Sequence, residues 1–154
     1  MSNIPIRPYA PADLKACAGI FDRAWREGHP FAPRKIDASV FSDEIVGETI
    51  FVAEDEEHAI TGFVSIYAPD SFIHHLYVEP RLRNRGIGSA LLRHAVAEMG
   101  GPATLKCQLG NQPALGFYRH LGWTEIVAGT NQYGAWVTLR SPGKTSAVPP
   151  AGLR

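Results

Sequence analysis

The sequence predicts an α+β fold in which a mixed sheet carries helices on both faces. Two observations predict it. Short strand-like runs gather in the first half, and from residue 71 a strand, a helix and a further strand follow in order. Apolar stripes at helical spacing stand on either side of those runs, so no single helical layer holds them all.

Ile4–Tyr9 reads as a first strand. Asp13 introduces a helix whose stripe is Leu14, Cys17, Ala18, Phe21, Ala24 and Trp25, ending near Gly28. His29-Pro30-Phe31-Ala32-Pro33 is a turn, because its prolines cannot continue a helix. Asp37–Val46 is a second helix. Thr49–Ala53 and Ile60–Tyr67 are strands joined by an acidic loop, Glu54-Asp55-Glu56-Glu57. Ser71–Val78 is the next strand, closed by Glu79-Pro80. Ile87, Leu91, Leu92, Ala95, Val96 and Met99 form the stripe of a helix that stops at Gly100-Gly101. Ala103–Leu109 is a strand, Pro113–Leu121 a short helix with proline in its first turn, and Thr124–Ala128 with Ala135–Leu139 a closing hairpin. Residues 1–140 are thus expected to form one domain. Residues 141–154, rich in Pro, Ser, Gly and Ala, are expected to form a disordered tail.

Composition excludes several classes. The 154 residues carry 15 Lys+Arg against 15 Asp+Glu, which gives no field to draw nucleic acid or an anionic membrane. No apolar run approaches the roughly 18 residues of a membrane span, and the start has no secretory pattern. Cys17 and Cys107 stand far apart without a Cys-x-x-Cys spacing, and the six histidines form no metal-binding motif. The expectation is a cytoplasmic protein with two buried thiols and no metal.

One stretch departs from this even background. Arg81-Leu82-Arg83-Asn84-Arg85-Gly86-Ile87-Gly88-Ser89 lies at a strand-to-helix junction. Glycines at a helix entry let a ligand approach the backbone, and the first amides of the helix are unpaired and favoured by its dipole for anions. Arginines alongside add charge-assisted bonds. The plainer alternative is a tight turn with solvated arginines. No Gly-Lys-Ser/Thr follows, and Leu91 stands where a dinucleotide fingerprint needs a small residue, so neither of those phosphate loops fits.

What fits is a resemblance to the GNAT acyltransferase superfamily. Arg83-Asn84-Arg85-Gly86-Ile87-Gly88 resembles its Arg/Gln-x-x-Gly-x-Gly/Ala signature, preceded by Leu76-Tyr77-Val78-Glu79-Pro80 and followed by Ser89-Ala90-Leu91-Leu92. A second block, Asn111, Ala114, Phe117, Tyr118, Gly122 and Trp123, is similar to the family's Asn-x-x-Ala-x-x-Phe-Tyr-x-x-x-Gly-Phe/Trp. The resemblance implies a three-layer fold with a twisted, mostly antiparallel sheet and one splayed parallel strand pair. It implies acetyl-CoA as acyl donor and an amine as acceptor. Many relatives are dimers, so a homodimer is among the assemblies it admits.

By the same resemblance, pantetheine would bond the backbone of Leu76 and Val78 beside Tyr77, as an added strand does. The pyrophosphate would rest on amides from Arg83 through Asn84, Arg85, Gly86, Ile87 and Gly88 to Ser89, with Asn111 and Tyr118 also at the cofactor. Attack on the thioester needs a base, an oxyanion donor and an acid for the thiolate. A backbone amide near Leu76–Val78 is the oxyanion donor by analogy, and Tyr118 matches the family's acid, its alternative role being packing beside Phe117 on the short helix. Many relatives carry a glutamate where Phe72 stands. Others use a histidine two residues on, and there His74 stands, as base or to orient a water that relays the proton, its alternative role being packing. Strict alternation would place His74 with Phe72 and Leu76, and His75 with Ile73 and Tyr77, so that the two imidazoles diverge and share neither metal nor proton. His75 then belongs to the core or a dimer face. Trp25, His29 and Phe31 would supply the acceptor site, although Trp25 also continues the core stripe. His58, His94 and His120 read as surface or helix-face residues. Two functions follow: an N-acetyltransferase acting on a small molecule or peptide amine by direct attack in a ternary complex, or a non-catalytic acyl-CoA-binding module.

Overall fold

The protein's structure, a computed structural model, describes residues 3–143. The expected tail lies outside the described residues from position 144 on. Seven strands form one sheet: β1 (Ile6–Pro8), β2 (Thr49–Glu54), β3 (Ile60–Tyr67), β4 (Phe72–Val78), β5 (Thr104–Gln108), β6 (Thr124–Asn131) and β7 (Gly134–Arg140). Four helices accompany them: α1 (Leu14–Gly28), α2 (Ala38–Glu44), α3 (Ile87–Met99) and α4 (Gln112–His120). The strand order is β1-β2-β3-β4-β5-β7-β6. Every neighbouring pair is antiparallel except β4 and β5. The mixed sheet with helices on both faces is the architecture the periodicities predict.

Alternation along β3 shows how the sheet divides the core. Val64 and Ile66 join Leu91, Leu92, Ala95, Leu105, Leu115 and Trp123 in one cluster, under α3 and α4. Phe63 joins Cys17, Phe21, Trp25, Phe41 and Val52 in the other, under α1 and α2. Two-faced burial of this kind explains why β2 and β3 read as near-continuous apolar runs.

The helix ends follow from their capping residues. Asp37 caps α2 by accepting from the Val40 amide at 2.9 Å, and Asn111 caps α4 by accepting from that of Ala114 at 3.5 Å. Gly100 ends α3 in the left-handed region, φ +72°. β1, Ile6–Pro8, is shorter than Ile4–Tyr9, Pro5 having no amide with which to extend the ladder. The closing hairpin is longer than predicted, the Asn131–Gly134 turn extending both strands. Both cysteines are buried and unpaired with each other, and burial pushes each thiol up to about 12. No helix among the described residues is long and apolar enough to cross a membrane.

Candidate active site

β4 and β5 pair only at Phe72↔Thr104 and Ile73↔Leu105. Beyond Ile73 they separate, and the backbone of β4 through Val78 has no strand partner on that edge. The opening is a cleft of about 800 Å³, walled by β4, β5, the ends of α1 and α4, and the loop into α3. Leu76, Tyr77 and Val78 line one wall, and Leu105, Lys106, Cys107 and Gln108 the other.

The loop that closes β4 carries the arginines and glycines. Asn84 (φ +65°) and Gly86 (φ +83°) both sit in the left-handed region, so the chain reverses sharply before entering α3. Gly86 is the N-cap and offers no side chain, leaving the first amides of α3 without a side-chain cap. A Cβ at Gly88 would meet Phe117 at 3.5 Å and Val78 at 3.7 Å, so this residue lies between α4 and the end of β4. Two ion pairs fasten the loop to α1. Arg23 donates twice to Glu79, at 2.6 and 3.0 Å, and Arg83 pairs with Glu27. Arg83, Asn84, Gly86, Ile87, Gly88 and Ser89 line the cleft, whereas Arg85 does not. Arg81 and Arg85 make no ion pair among the described residues.

The histidine pair departs from strict alternation. Ser65 opposes His75 and the adjacent Ile66 opposes Ile73, so His74 is the extra residue of a β-bulge. His75 still shares a face with Tyr77, toward α1, but Ile73 does not; it packs in the α3 cluster. The expected divergence of the two imidazoles is therefore corrected. Their ring centroids are 3.8 Å apart, and both nitrogens Nδ1 turn to one carboxylate, Glu48. Donor atoms of His74, His75 and Glu44 all lie within 4.8 Å of one another.

The charges around this pair are tightly matched. His75 is buried; its Nδ1 lies 2.7 Å from Ser65 Oγ and its Nε2 3.2 Å from Glu44 Oε1. Burial opposes its cation, but the nearby carboxylates of Glu44 and then Glu48 outweigh burial and raise its pKa. The His75 bond, opposed by burial and assisted by Arg34, holds Glu44 down to about 2. Burial would raise Glu48, yet the bond from His74 and the nearness of His75 and Ser65 bring it to about 2. Each carboxylate thus has a folded pKa below its unfolded value, near 4.5. Their stabilisation is present above that value and lost as pH falls toward 2. Urea midpoints should accordingly drop between those limits, and Glu44→Gln should flatten the drop.

The far end of the cleft is aromatic. Trp25 is buried, donates from Nε1 to the Ala32 carbonyl at 2.8 Å, and stacks on His29 at 3.7 Å. Desolvation lowers the pKa of His29 and favours its neutral form. Phe31 is exposed and does not line the cleft; a Cβ at Gly110 would strike its ring at 2.5 Å. Arg34 pairs with Glu44 and lies over Trp25, Tyr133 and Phe21, 4.9 to 5.6 Å from their centroids. Tyr118 lines the cleft from α4, its ring packed on Phe117 and Trp123. Burial raises its pKa well beyond the usual phenol value, so it holds its proton at neutral pH. Asn111 lines the cleft between α1 and α4, where a Cβ at Gly28 would meet its amide at 2.9 Å.

Among the cleft or cleft-supporting residues that escaped the sequence reading are Arg34, Glu44, Glu48 and Tyr133. Glu44 closes α2 and Glu48 follows four residues on, the one spacing that could have drawn attention to them.

Comparison with known proteins follows the same lines. The family model for the acetyltransferase (GNAT) family matches residues 14–123. The uncharacterized N-acetyltransferase YafP of Escherichia coli K12 is 31% identical over 101 residues, which span 60% of this chain and 65% of that protein. Among solved structures, a GCN5-related N-acetyltransferase from Rhodopseudomonas palustris superposes with a TM-score of 0.74 at 22% identity, covering 92% of this chain and 96% of that one. A GNAT superfamily phosphinothricin acetyltransferase from Sinorhizobium meliloti, solved with AcCoA, superposes at 0.71 with 18% identity, covering 97% and 94%.

Proposed function

The chain belongs to the GNAT acetyltransferase family, and on that premise we propose that it transfers an acetyl group from acetyl-CoA to a primary amine of a small molecule or peptide. The transfer is a direct attack within a ternary complex. One observation carries the reading: β4 loses its partner at Ile73, and the cleft so opened runs from the bare start of α3 to an aromatic end. Pantetheine occupies the vacant edge of β4 and bonds the backbone of Leu76 and Val78, where an added strand would lie. The diphosphate takes the amides from Arg83 to Ser89 at the α3 N-terminus. Glu27 already holds Arg83, so the amides rather than that guanidinium are the first contact.

The chemistry uses groups that face the cleft. The amine arrives from the side of Trp25 and His29 and loses its proton to His74. A β4 backbone amide receives the developing oxyanion, and Tyr118 protonates the departing thiolate. A carboxylate at position 72 is not needed when an imidazole on the bulge takes that role. Acetyl-CoA with a panel of amines and peptides, read by thiol release, tests the reading. Turnover with any acceptor supports it; tight CoA binding without turnover would favour the acyl-CoA-binding module instead.

Gly86→Val should raise the CoA dissociation constant at least about 30-fold, equivalent to about 2 kcal/mol. Valine cannot adopt φ +83° without strain, so the loop that presents the amides must shift. Isothermal titration of the folded variant reads the result. Unchanged affinity would remove the diphosphate site from this loop.

A further inference from the structure

We propose that Glu48 is a positioning residue for the base, fixing the tautomer of His74 so that its Nε2 carries the lone pair used on the amine. The proposal rests on the reading of His74 as base. Its geometry does not. Glu48 lies in the tight connection between α2 and β2, where Gly47 at φ +81° reverses the chain and turns the next side chain beneath the bulge. Its side chain is 6% exposed, against 38% for that of His74. Oε2 accepts from His74 Nδ1, so that nitrogen holds the proton in the neutral ring and Nε2 is left as acceptor. Oε1 is buried without a hydrogen bond and stands 3.5 Å from His75 Nδ1. His74 lines the cleft and Glu48 does not, which separates the group that meets substrate from the group that aims it.

The surroundings keep Glu48 charged. Ser65 on β3 and His75 on β4 face it, and Glu44 on α2 contacts His75 Nε2 from the other side while pairing with Arg34. Lys106 on β5 is the cation across the cleft. When the amine transfers its proton to Nε2, the imidazolium forms beside a carboxylate already in contact through Nδ1–H. No bond rearranges at Glu48; it remains ionised and lowers the energy of the ion pair formed. The proton leaves His74 to solvent after the acetyl product departs.

The test combines ring-nitrogen NMR with kinetics on the full chain. In ¹⁵N-histidine-labelled protein at alkaline pH, the Nδ1–H tautomer of His74 should predominate. Glu48→Gln should mix the tautomers, lower kcat about 10-fold and alter its pH profile, with CoA affinity unchanged. Glu48→Asp should restore part of the rate. A wild-type Nε2–H tautomer, or a Glu48→Gln variant with the same tautomer and pH profile, would overturn the proposal. So would loss of turnover with EDTA that zinc restores, since His74 and His75 would then be ligands. The failure of the base reading looks different: His74→Gln would keep full rate whatever the tautomer.

Discussion

His74→Gln should lower turnover about 100-fold at saturating acetyl-CoA and amine, while CoA affinity stays near that of the wild type. Glutamine approximates the reach of histidine but takes no proton at working pH. The bulge places the side chain against the cleft and outside both apolar clusters, so its replacement leaves those clusters intact. In the wild type, kcat should rise with pH as the imidazole loses its proton. In the variant that rise should give way to one set by the amine in solution, and alkaline buffers should recover part of the rate. Two pH–rate curves on one acceptor, with chemistry rate-limiting, decide the matter. A variant with both the rate and the pH profile of the wild type would make His74 a packing residue. His75→Gln should instead act on stability, because it removes a buried imidazole held between Glu44 and Glu48.

Tyr118→Phe should also cost about 100-fold in turnover, with little change in CoA affinity. The ring is 8% exposed and wedged between Phe117 and Trp123, contacts that phenylalanine preserves. What is lost is the hydroxyl. Its raised pKa means that the phenol is protonated across the working range, so no limb of the wild-type profile near neutrality belongs to it. Thiolate leaving is the step affected. Donors with better leaving groups should therefore narrow the gap between variant and wild type. Weakened CoA binding with turnover preserved at saturation would recast Tyr118 as a binding residue.

The order of elements was legible because each kind of periodicity had a clear boundary residue. Asp37, Asn111 and Gly100 stand where the helices start or stop. The loop at Arg83–Ser89 was legible because its chemistry is local: glycine, backbone amide and helix start are neighbours in sequence. The histidine network was not. Glu48 and Glu44 meet His74 and His75 across 26 and 31 residues, a distance at which one sequence gives no spacing to count. Alternation also misplaced the pair, since no side chain in Ile73-His74-His75 announces that the backbone there carries an unpaired residue. Phe31 illustrates the opposite case: it belongs by position to the turn after α1, yet packs outward over Gly110.

The bulge in β4 has a consequence for how fold and activity divide. Phe72, Ile73, His75, Leu76, Tyr77 and Val78 each face a residue of β3 in unbroken order, Tyr67, Ile66, Ser65, Val64, Phe63 and Gly62. Without position 74 the count along both strands would agree, and every remaining side chain would keep its face. His74 is thus supernumerary to the sheet: the ladder assigns it no counterpart and the core assigns it no volume. The strand's architecture and the imidazole at the cleft are written in different residues, and the second is free to change while the first stands.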